Sequence, residues 1–284
     1  MNFANARTIV LTGSSGFVGR QILRELTSRG QKVRVLVRDK ARLGPGYKSM
    51  LVEVFEIPDL FAAAPERLDE VLTEADLLIH AAWYAEPGQY LTSPINLHCL
   101  EGTLRLVEAF CRTGGKRVIG LGTCAEYDFA EELLTIESPL KPNTLYAACK
   151  TSAFQILSHF LSGEAVEFAW CRLFYLHGEG EDQRRLVPYI RKQLQAGEPA
   201  LLTSGHQVRD FIDVREAARL IVDVALGEVQ GAANICTGVP MTVRELADRI
   251  ADEYGRRDLL HFGSRPDNLF DPPRVVGVPG PFHA

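Results

Sequence analysis

The chain has 284 residues, of which 46% are hydrophobic and 24% charged, an ordinary balance for a protein that can bury a sizeable core. A formal net charge of −5 without a basic run excludes a nucleic-acid-binding protein, and no apolar stretch approaches the roughly 20 residues that span a bilayer. The amino-terminal sequence lacks the order of a signal peptide, and the six cysteines form no CxxC pair, which predicts reduced thiols, no metal site and a cytoplasmic location.

Short apolar runs alternate with helix-period segments through the first half of the chain. The predicted strands cover residues 8–12, 33–37, 52–57, 76–80, 117–121 and 168–173, and long helices are predicted at about 91–113 and 143–162. Strands that are apolar on both faces are typical of a parallel sheet covered by helices on both sides. The alternation therefore predicts a doubly wound α/β fold.

The second half is broken into shorter pieces by proline and glycine, with further helices predicted over 214–226 and 242–254. We expect a dinucleotide-binding domain over residues 1–173, with a return segment over about 208–236. A smaller and irregular substrate lobe is expected over residues 174–207 and 237–284.

A glycine-rich turn, T-G-S-S-G-F-V-G over residues 12–19, lies between the first strand and the first helix. Gly13 permits the tight turn, Gly16 lets the backbone approach a pyrophosphate, and Gly19 lets the helix pack on the strand. The helix N-terminus then presents free N–H groups and a positive dipole end to the phosphates. The turn predicts a Rossmann-type cofactor site with contacts from Gly13, Ser15, Gly16, Phe17, Val18 and Gly19.

The end of the second strand bears on the choice of nicotinamide cofactor. Arg38 is the first residue after the apolar run, and a guanidinium there accommodates a 2′-phosphate, which predicts NADP. In the alternative, Asp39 accepts the ribose hydroxyls while Arg38 and Lys40 are solvated surface charges, which predicts NAD.

Tyr146 and Lys150 form a Tyr-x-x-x-Lys pair, and on a helix this spacing puts them on one face, one turn apart. An ammonium nearby stabilises phenolate and lowers the pKa of a phenol from its usual value of about 10. The pair therefore predicts a tyrosine that can exchange a proton near neutral pH.

Taken together, these motifs resemble those of the extended short-chain dehydrogenases/reductases that act on nucleotide sugars. The resemblance covers nearly the whole length and rests on TGSSGFVG, Asp59-Leu60, DLLIHAA over 76–82, Asn96, Gly102-Thr103, Thr123, YAACK, RLFYLHGEGE, RDFIDV and Arg265-Pro266. It implies that Thr123 orients the substrate oxygen, Tyr146 moves the proton and Lys150 binds the nicotinamide ribose.

The resemblance also implies further contacts. Asp59 and Leu60 would lie by the adenine, and Ala81 and Ala82 would line the cofactor. His177 would lie on the loop under the nicotinamide, with a second acid/base role as an alternative. The diphosphate of a nucleoside-diphosphate sugar would be bound by Arg209 and Arg265.

The segment L-G-T-C-A-E-Y-D-F over residues 121–129 distinguishes among the reactions of this family. Related dehydratases carry acidic residues where this chain has Cys124 and Ala125, so dehydration is disfavoured. Glu126 lies one position later, as a substrate contact or a structural residue, and Cys124 lies beside the substrate as a small filler rather than a nucleophile.

The remaining interpretation is reduction of a 4-keto-6-deoxysugar by NADPH. A C4 or C3/C5 epimerase with tightly bound cofactor is the alternative, and a non-catalytic dinucleotide-binding regulator is a second one. The family also implies a homodimer through the two long helices, to which Ile95, Leu106, Phe154 and Leu157 could contribute, unless they pack on their own sheet. His80 is expected beside the cofactor rather than on a metal.

Overall fold

The computed structural model describes residues 7–43, 53–268 and 271–282. The strands in these ranges are β1 (Thr8–Thr12), β2 (Lys32–Val37), β3 (Glu53–Glu56), β4 (Leu77–His80), β5 (Arg117–Thr123), β6 (Glu167–Leu173), β7 (Tyr175–His177), β8 (Ala200–Leu201), β9 (Val208–Asp213), β10 (Gly231–Ile235), β11 (Pro240–Thr242), β12 (Leu260–His261) and β13 (Arg274–Val275). The α-helices are α1 (Phe17–Ser28), α2 (Pro65–Leu72), α3 (Ile95–Arg112), α4 (Leu145–Gly163), α5 (Leu186–Ala196), α6 (Val214–Leu226) and α7 (Val243–Asp252). The predicted strand over 52–57 begins, within the described residues, at Glu53.

Seven of the described strands form one parallel sheet in the order β10-β6-β5-β4-β1-β2-β3. The order reverses between β1 and β4, and in an open α/β sheet ligands bind outside the carboxyl ends of the strands at such a point. Thr12 and His80 lie there as register partners. The predicted doubly wound fold is confirmed.

Helices cover both faces of this sheet because successive strand residues point to opposite sides. Ile9 and Leu11 pack with α1 and α6, whereas Val10 packs with α2, α3 and α4. All three side chains are fully buried. Burial on both faces explains why the strands have no polar alternation in the sequence.

A second sheet lies in the carboxyl-terminal half, where β9 pairs with β7, β11 and β13. The apolar faces of α5 and α7 pack together beside it. Within the return segment expected over 208–236, β9 therefore belongs to the second sheet, whereas β10 extends the large sheet beside β6.

The residues expected at a dimer contact do not share one environment. Leu106 and Leu157 are buried in the core against the large sheet, so of the two uses expected for them they have the second, packing on their own sheet rather than on a partner. Phe154 stacks with Trp170, while Ile95 is 44% exposed. No helix among the described residues is long and apolar enough to cross a membrane.

Candidate active site

The segment after β5 is shaped by Thr123 and Glu126, which cap one another. The Thr123 side chain accepts a hydrogen bond from the N–H of Ala125, and the Thr123 N–H donates to Oε1 of Glu126 at 2.8 Å. This reciprocal pairing closes a single 3₁₀ turn over Cys124–Glu126. Thr123 is thereby fixed at the carboxyl end of a central strand, where this fold class places its chemistry.

Glu126 itself is fully buried. Its carboxylate forms an ion pair with Arg172, 2.8 Å from Nε, and accepts from Nε1 of Trp170 at 3.0 Å. With the Thr123 N–H, three protein donors occupy its oxygens. Of the two roles expected for Glu126, these contacts support the structural one, because each carboxylate oxygen already accepts from a donor inside the core.

Tyr146, on the first turn of α4, lies next to Thr123. The Thr123 hydroxyl acts to lower the pKa of the Tyr146 phenol, so the two groups lie close together. Two aromatic rings stand edge-on to Tyr146, Tyr90 with its centroid 4.9 Å away and Trp83 at 6.5 Å. Thr123 and Tyr146, which are expected to act on one substrate oxygen, therefore lie close together, with two aromatic rings packed against Tyr146.

Lys150 is buried one turn further along α4. Its Nζ donates to the carbonyl oxygen of Leu121 at 2.7 Å and lies 3.8 Å from the centre of the Trp83 ring, as a cation–π contact. Burial lowers the pKa of Lys150 to about 7, with Glu126 acting in the opposite direction.

The same burial raises the pKa of Tyr146 above its usual value, although the Thr123 hydroxyl acts to lower it. The lowered pKa expected from the neighbouring Lys150 is therefore not found in the protein alone, where burial is the larger effect. A phenol with a raised pKa is a proton donor rather than a base at neutral pH.

The glycine turn before α1 fits the pyrophosphate of a dinucleotide. A Cβ on Gly19 would lie 2.1 Å from the Gly13 carbonyl oxygen, and one on Gly13 would lie 2.7 Å from the backbone of Ala81. The first turn of α1 has no side-chain cap and no acidic residue, and the hydroxyl of Ser14 is buried without a partner among the described residues. Free N–H groups on a positive helix end suit an anionic phosphate.

His80 fixes the two strand ends beside this turn. Thr103 donates to the carbonyl oxygen of Cys99, so it accepts from Nε2–H of His80; Nδ1 then accepts from the Thr12 hydroxyl, which in turn accepts from the Ala82 N–H. Burial lowers the pKa of His80 to about 3, so the ring is neutral. Ala81 and Ala82 are thereby fixed against Gly13.

The residues expected around the adenosine lie along the carboxyl ends of β2 and β3. Arg38 is exposed, whereas Oδ1 of Asp39 already accepts from the N–H of Ala41 at 2.8 Å. Leu60 is buried. The Asp59 carboxylate caps the turn that begins at Leu60, by accepting from the N–H of Phe61. It also pairs with His98, with 3.1 Å between Oδ2 and Nε2 of the histidine. Arg38 thus presents the freer side chain of the two candidates at this edge.

The two arginines expected on a diphosphate lie in different surroundings. Arg265 is exposed over the Tyr189 ring and lines a cavity of about 270 Å³ with Leu186, Leu201 and Arg184. Arg209 is buried and already pairs with Asp271, 2.7 Å between Nη2 and Oδ2.

The Tyr175 ring and Cys124 lie beside Arg209. Burial raises the pKa of the Cys124 thiol to about 12. A thiol with that pKa is protonated at neutral pH, which agrees with the expectation of a filler rather than a nucleophile.

Two loops meet near Tyr90, whose ring stands edge-on to Tyr146. Arg184 pairs with Glu86 at 2.7 Å, and the Arg185 guanidinium lies over the Tyr90 ring. Asn96 fixes the first loop, because its amide accepts from Trp83 and donates to the carbonyl oxygens of Tyr90 and Ser93.

His177 lies in β7, opposite Asp213 of β9. Burial lowers its pKa, and Asp213 acts to raise it. Its predicted place beside the cofactor and its acid/base role stay predictions.

Sequence reasoning missed Trp83, Tyr90 and Arg172. An aromatic residue directly after Ala82, at the end of β4, was the available signal for Trp83. Arg172 had no local signal, because its role as the cation that balances Glu126 follows only once Glu126 is known to be buried.

Comparison with known proteins places this geometry in a family. Residues 9–236 match the model of the NAD dependent epimerase/dehydratase family, and the chain belongs to that family. It is 24% identical over 274 residues to a dTDP-6-deoxy-L-talose 4-dehydrogenase (NAD⁺) of Aggregatibacter actinomycetemcomitans, covering 95% of this chain and 99% of that one. It is 23% identical to UDP-glucuronic acid decarboxylase 1 of Arabidopsis thaliana, of whose length the chain spans 62%.

Solved structures share the fold. A UDP-N-acetylglucosamine 4-epimerase of Methanobrevibacter ruminantium, in complex with UDP-N-acetylmuramic acid, superposes with a TM-score of 0.85 at 23% identity, covering 96% of this chain and 90% of that one. A dTDP-glucose 4,6-dehydratase of Streptomyces venezuelae with bound NAD superposes with a TM-score of 0.82 at 22% identity, covering 96% and 88%.

Proposed function

We propose that the protein reduces the 4-keto group of a nucleoside-diphosphate 4-keto-6-deoxysugar with NADPH. The observation that carries the proposal is the meeting of Thr123 and Tyr146 at the end of β5, beside the buried Lys150. The Thr123 hydroxyl orients the carbonyl oxygen, and Tyr146 gives it a proton as the carbon receives a hydride. The bound cofactor supplies that hydride.

The state of Glu126 supports reduction over dehydration. Removal of a carbon-bound proton needs a free base near the sugar. Positions 124 and 125 carry a thiol and a methyl group, and the carboxylate of Glu126 is occupied by Arg172, Trp170 and the Thr123 N–H. The relative from Aggregatibacter actinomycetemcomitans, named as a 4-dehydrogenase of a deoxysugar nucleotide, supports redox chemistry at C4.

NADP is the proposed cofactor because Arg38 is exposed at the carboxyl end of β2. One carboxylate oxygen of Asp39, by contrast, already accepts a hydrogen bond from the N–H of Ala41. NAD is the second candidate, since the family description and the talose dehydrogenase both name it. Dissociation constants for the two reduced cofactors decide between them. We expect tighter binding of NADPH, and Arg38→Ala should abolish the difference. Equal affinities in the parent protein, unchanged in Arg38→Ala, would refute the preference, and tighter binding of NADH would favour NAD.

The reaction is tested by supplying a dTDP- or UDP-4-keto-6-deoxysugar with NADPH. We expect one cofactor oxidised per 4-hydroxy sugar formed, followed by absorbance and by product analysis. Interconversion of two 4-hydroxy epimers without net cofactor consumption would instead establish an epimerase, which the 4-epimerase folds among the solved structures favour. Binding of the cofactor without turnover of any such sugar would leave the regulatory alternative.

A homodimer through the outer faces of α3 and α4 is part of the proposal. Leu97 and Ile156 on these helices are 55% and 45% exposed, and large apolar side chains on an outer face suit a symmetric contact. Sedimentation of the parent protein and of Leu97→Glu/Ile156→Glu measures it; a parent that remains monomeric at micromolar concentration excludes the dimer. A cytoplasmic location remains a prediction from the sequence.

A further inference from the structure

The ion pair between Glu126 and Arg172 is almost completely excluded from solvent. The two side chains are 0% and 1% exposed. Burying two charges costs more than their attraction usually returns, so a buried pair is weak evidence for stability. Its position, directly behind the residue that orients the substrate, suggests another use.

The bonds of Glu126 join Thr123 on one side to Trp170 and Arg172 of β6 on the other. Oε1 accepts from the Thr123 N–H at 2.8 Å and from Nε1 of Trp170 at 3.0 Å, while Oε2 accepts from Nε of Arg172 at 2.8 Å. Arg172 is itself fixed by the Tyr127 hydroxyl, 2.9 Å from Nη1, and that hydroxyl donates to Asn234 of β10. Thr123 is therefore connected to the edge of the large sheet by a chain of saturated hydrogen bonds.

Space around the carboxylate is equally restricted. A Cβ on Gly122 would lie 2.5 Å from Oε1 of Glu126 and 2.2 Å from Nε1 of Trp170. A glycine before Thr123 thus lets the carboxylate approach the backbone from behind.

We infer that Glu126 is a positioning residue for the reaction at Thr123 and Tyr146: its carboxylate, fixed by Arg172 and Trp170, sets the backbone of Thr123 so that the Thr123 hydroxyl meets the substrate oxygen beside Tyr146. The inference rests on the proposed function for its kinetic readout only. Glu126 touches neither substrate nor cofactor and acts through Thr123.

The same two strands provide a matched control at their opposite ends. Arg117 begins β5 and pairs with Glu167 of β6 at 2.6 Å, with a buried guanidinium and a half-exposed carboxylate. This pair joins β5 to β6 just as Glu126 and Arg172 do, but far from Thr123 along the strand.

Two variants separate the effect of the length of the Glu126 side chain from the effect of its charge. Glu126→Asp retains the charge that balances Arg172 but is one methylene too short for the Thr123 N–H. Glu126→Gln/Arg172→Met removes both charges but retains an oxygen that reaches the N–H. Positioning predicts that Glu126→Asp loses about 10- to 100-fold in kcat with little change in KM, and that the double variant loses less. A purely structural pair predicts the reverse order.

A second readout needs no substrate. In protein labelled with ¹⁵N-threonine, we expect the Thr123 amide proton to move upfield and exchange faster in Glu126→Asp, and to keep its place in Arg117→Met/Glu167→Gln. Parental kcat and an unmoved amide in folded Glu126→Asp would overturn the inference. An amide that moves as expected, in a protein that turns over no keto sugar, would refute the proposed function and leave the positioning role standing. If Glu126→Asp does not fold, the double variant decides, and a displaced Thr123 amide signal there contradicts the inference.

Discussion

Ion pairs lie at both ends of the central strands, but those at the amino ends have a solvent-exposed partner and the one at the carboxyl ends is buried. At the amino ends, Asp76 pairs with the exposed Lys116 at 2.6 Å and Arg117 pairs with Glu167, around an open groove of about 770 Å³. At the carboxyl ends, Glu126 and Arg172 are sealed in the core.

The two kinds of ion pair differ in how firmly they fix the neighbouring backbone. Ion pairs with an exposed partner contribute at most about 1 kcal/mol and can be broken by water or salt. Saturated buried pairs cannot exchange partners, and they fix the neighbouring backbone. The groove of about 770 Å³ lies at the amino ends, away from the proposed chemistry. The buried and hydrogen-bonded polar groups therefore indicate the candidate active site better than cavity volume does.

The largest effect is expected from Tyr146→Phe at the carboxyl end. Loss of the phenol proton should lower kcat by about 10²- to 10⁴-fold, while folding and cofactor binding persist, because the ring is retained. Steady-state turnover and cofactor titration measure it. Glu167→Gln, at the amino end, is the control and should leave turnover unchanged. Parental turnover in Tyr146→Phe would remove the contrast between the two ends.

The two ends of β4 should respond to acid in different ranges. His80 has a pKa of about 3 in the folded protein against an ordinary 6.5, so between these values the unfolded chain binds a proton that the folded one does not. The free energy of unfolding should therefore fall by about 1.4 kcal/mol per pH unit as the pH drops through this range.

Asp76, whose pKa is lowered chiefly by its hydrogen bond with Lys116, contributes stability that is lost only below its ordinary 3.8. Urea titrations of the parent, His80→Gln and Asp76→Asn across pH 3 to 7 test both. We expect His80→Gln to flatten the loss between about 6.5 and 4, and Asp76→Asn to flatten it only below that. Parallel curves for His80→Gln and the parent would contradict a neutral His80.

The smallest effect compares two glycines. Gly122→Ala forces a methyl group against Trp170 and Glu126 and should cost about 1–3 kcal/mol in the free energy of unfolding. Gly163 ends α4 next to the amino-end groove, and a methyl group added there would meet no atom of the described residues within 4 Å. Gly163→Ala should be neutral or slightly stabilising. Equal costs at the two positions would show that the carboxyl end is no more tightly packed.

Much of the fold was predictable because the strands of the large sheet are short apolar runs whose burial on both faces leaves a local signal. The glycine turn and the Tyr146–Lys150 spacing were also visible in the sequence, because each lies within a few consecutive residues. The second sheet was not, since β7, β9 and β13 are brief and pair across long separations. Nor did the sequence indicate that Glu126 turns inward, because that depends on Arg172, 46 positions away.

The bond between Arg184 and Glu86 has a consequence for exchange of ligands. Both side chains are about half exposed, 54% and 42%, so this bridge adds at most about 1 kcal/mol to the association of the two loops. Thermal energy at room temperature breaks such a bridge easily. We therefore expect the segments of Glu86 and Arg184 to separate without a large ionic cost when ligands enter or leave.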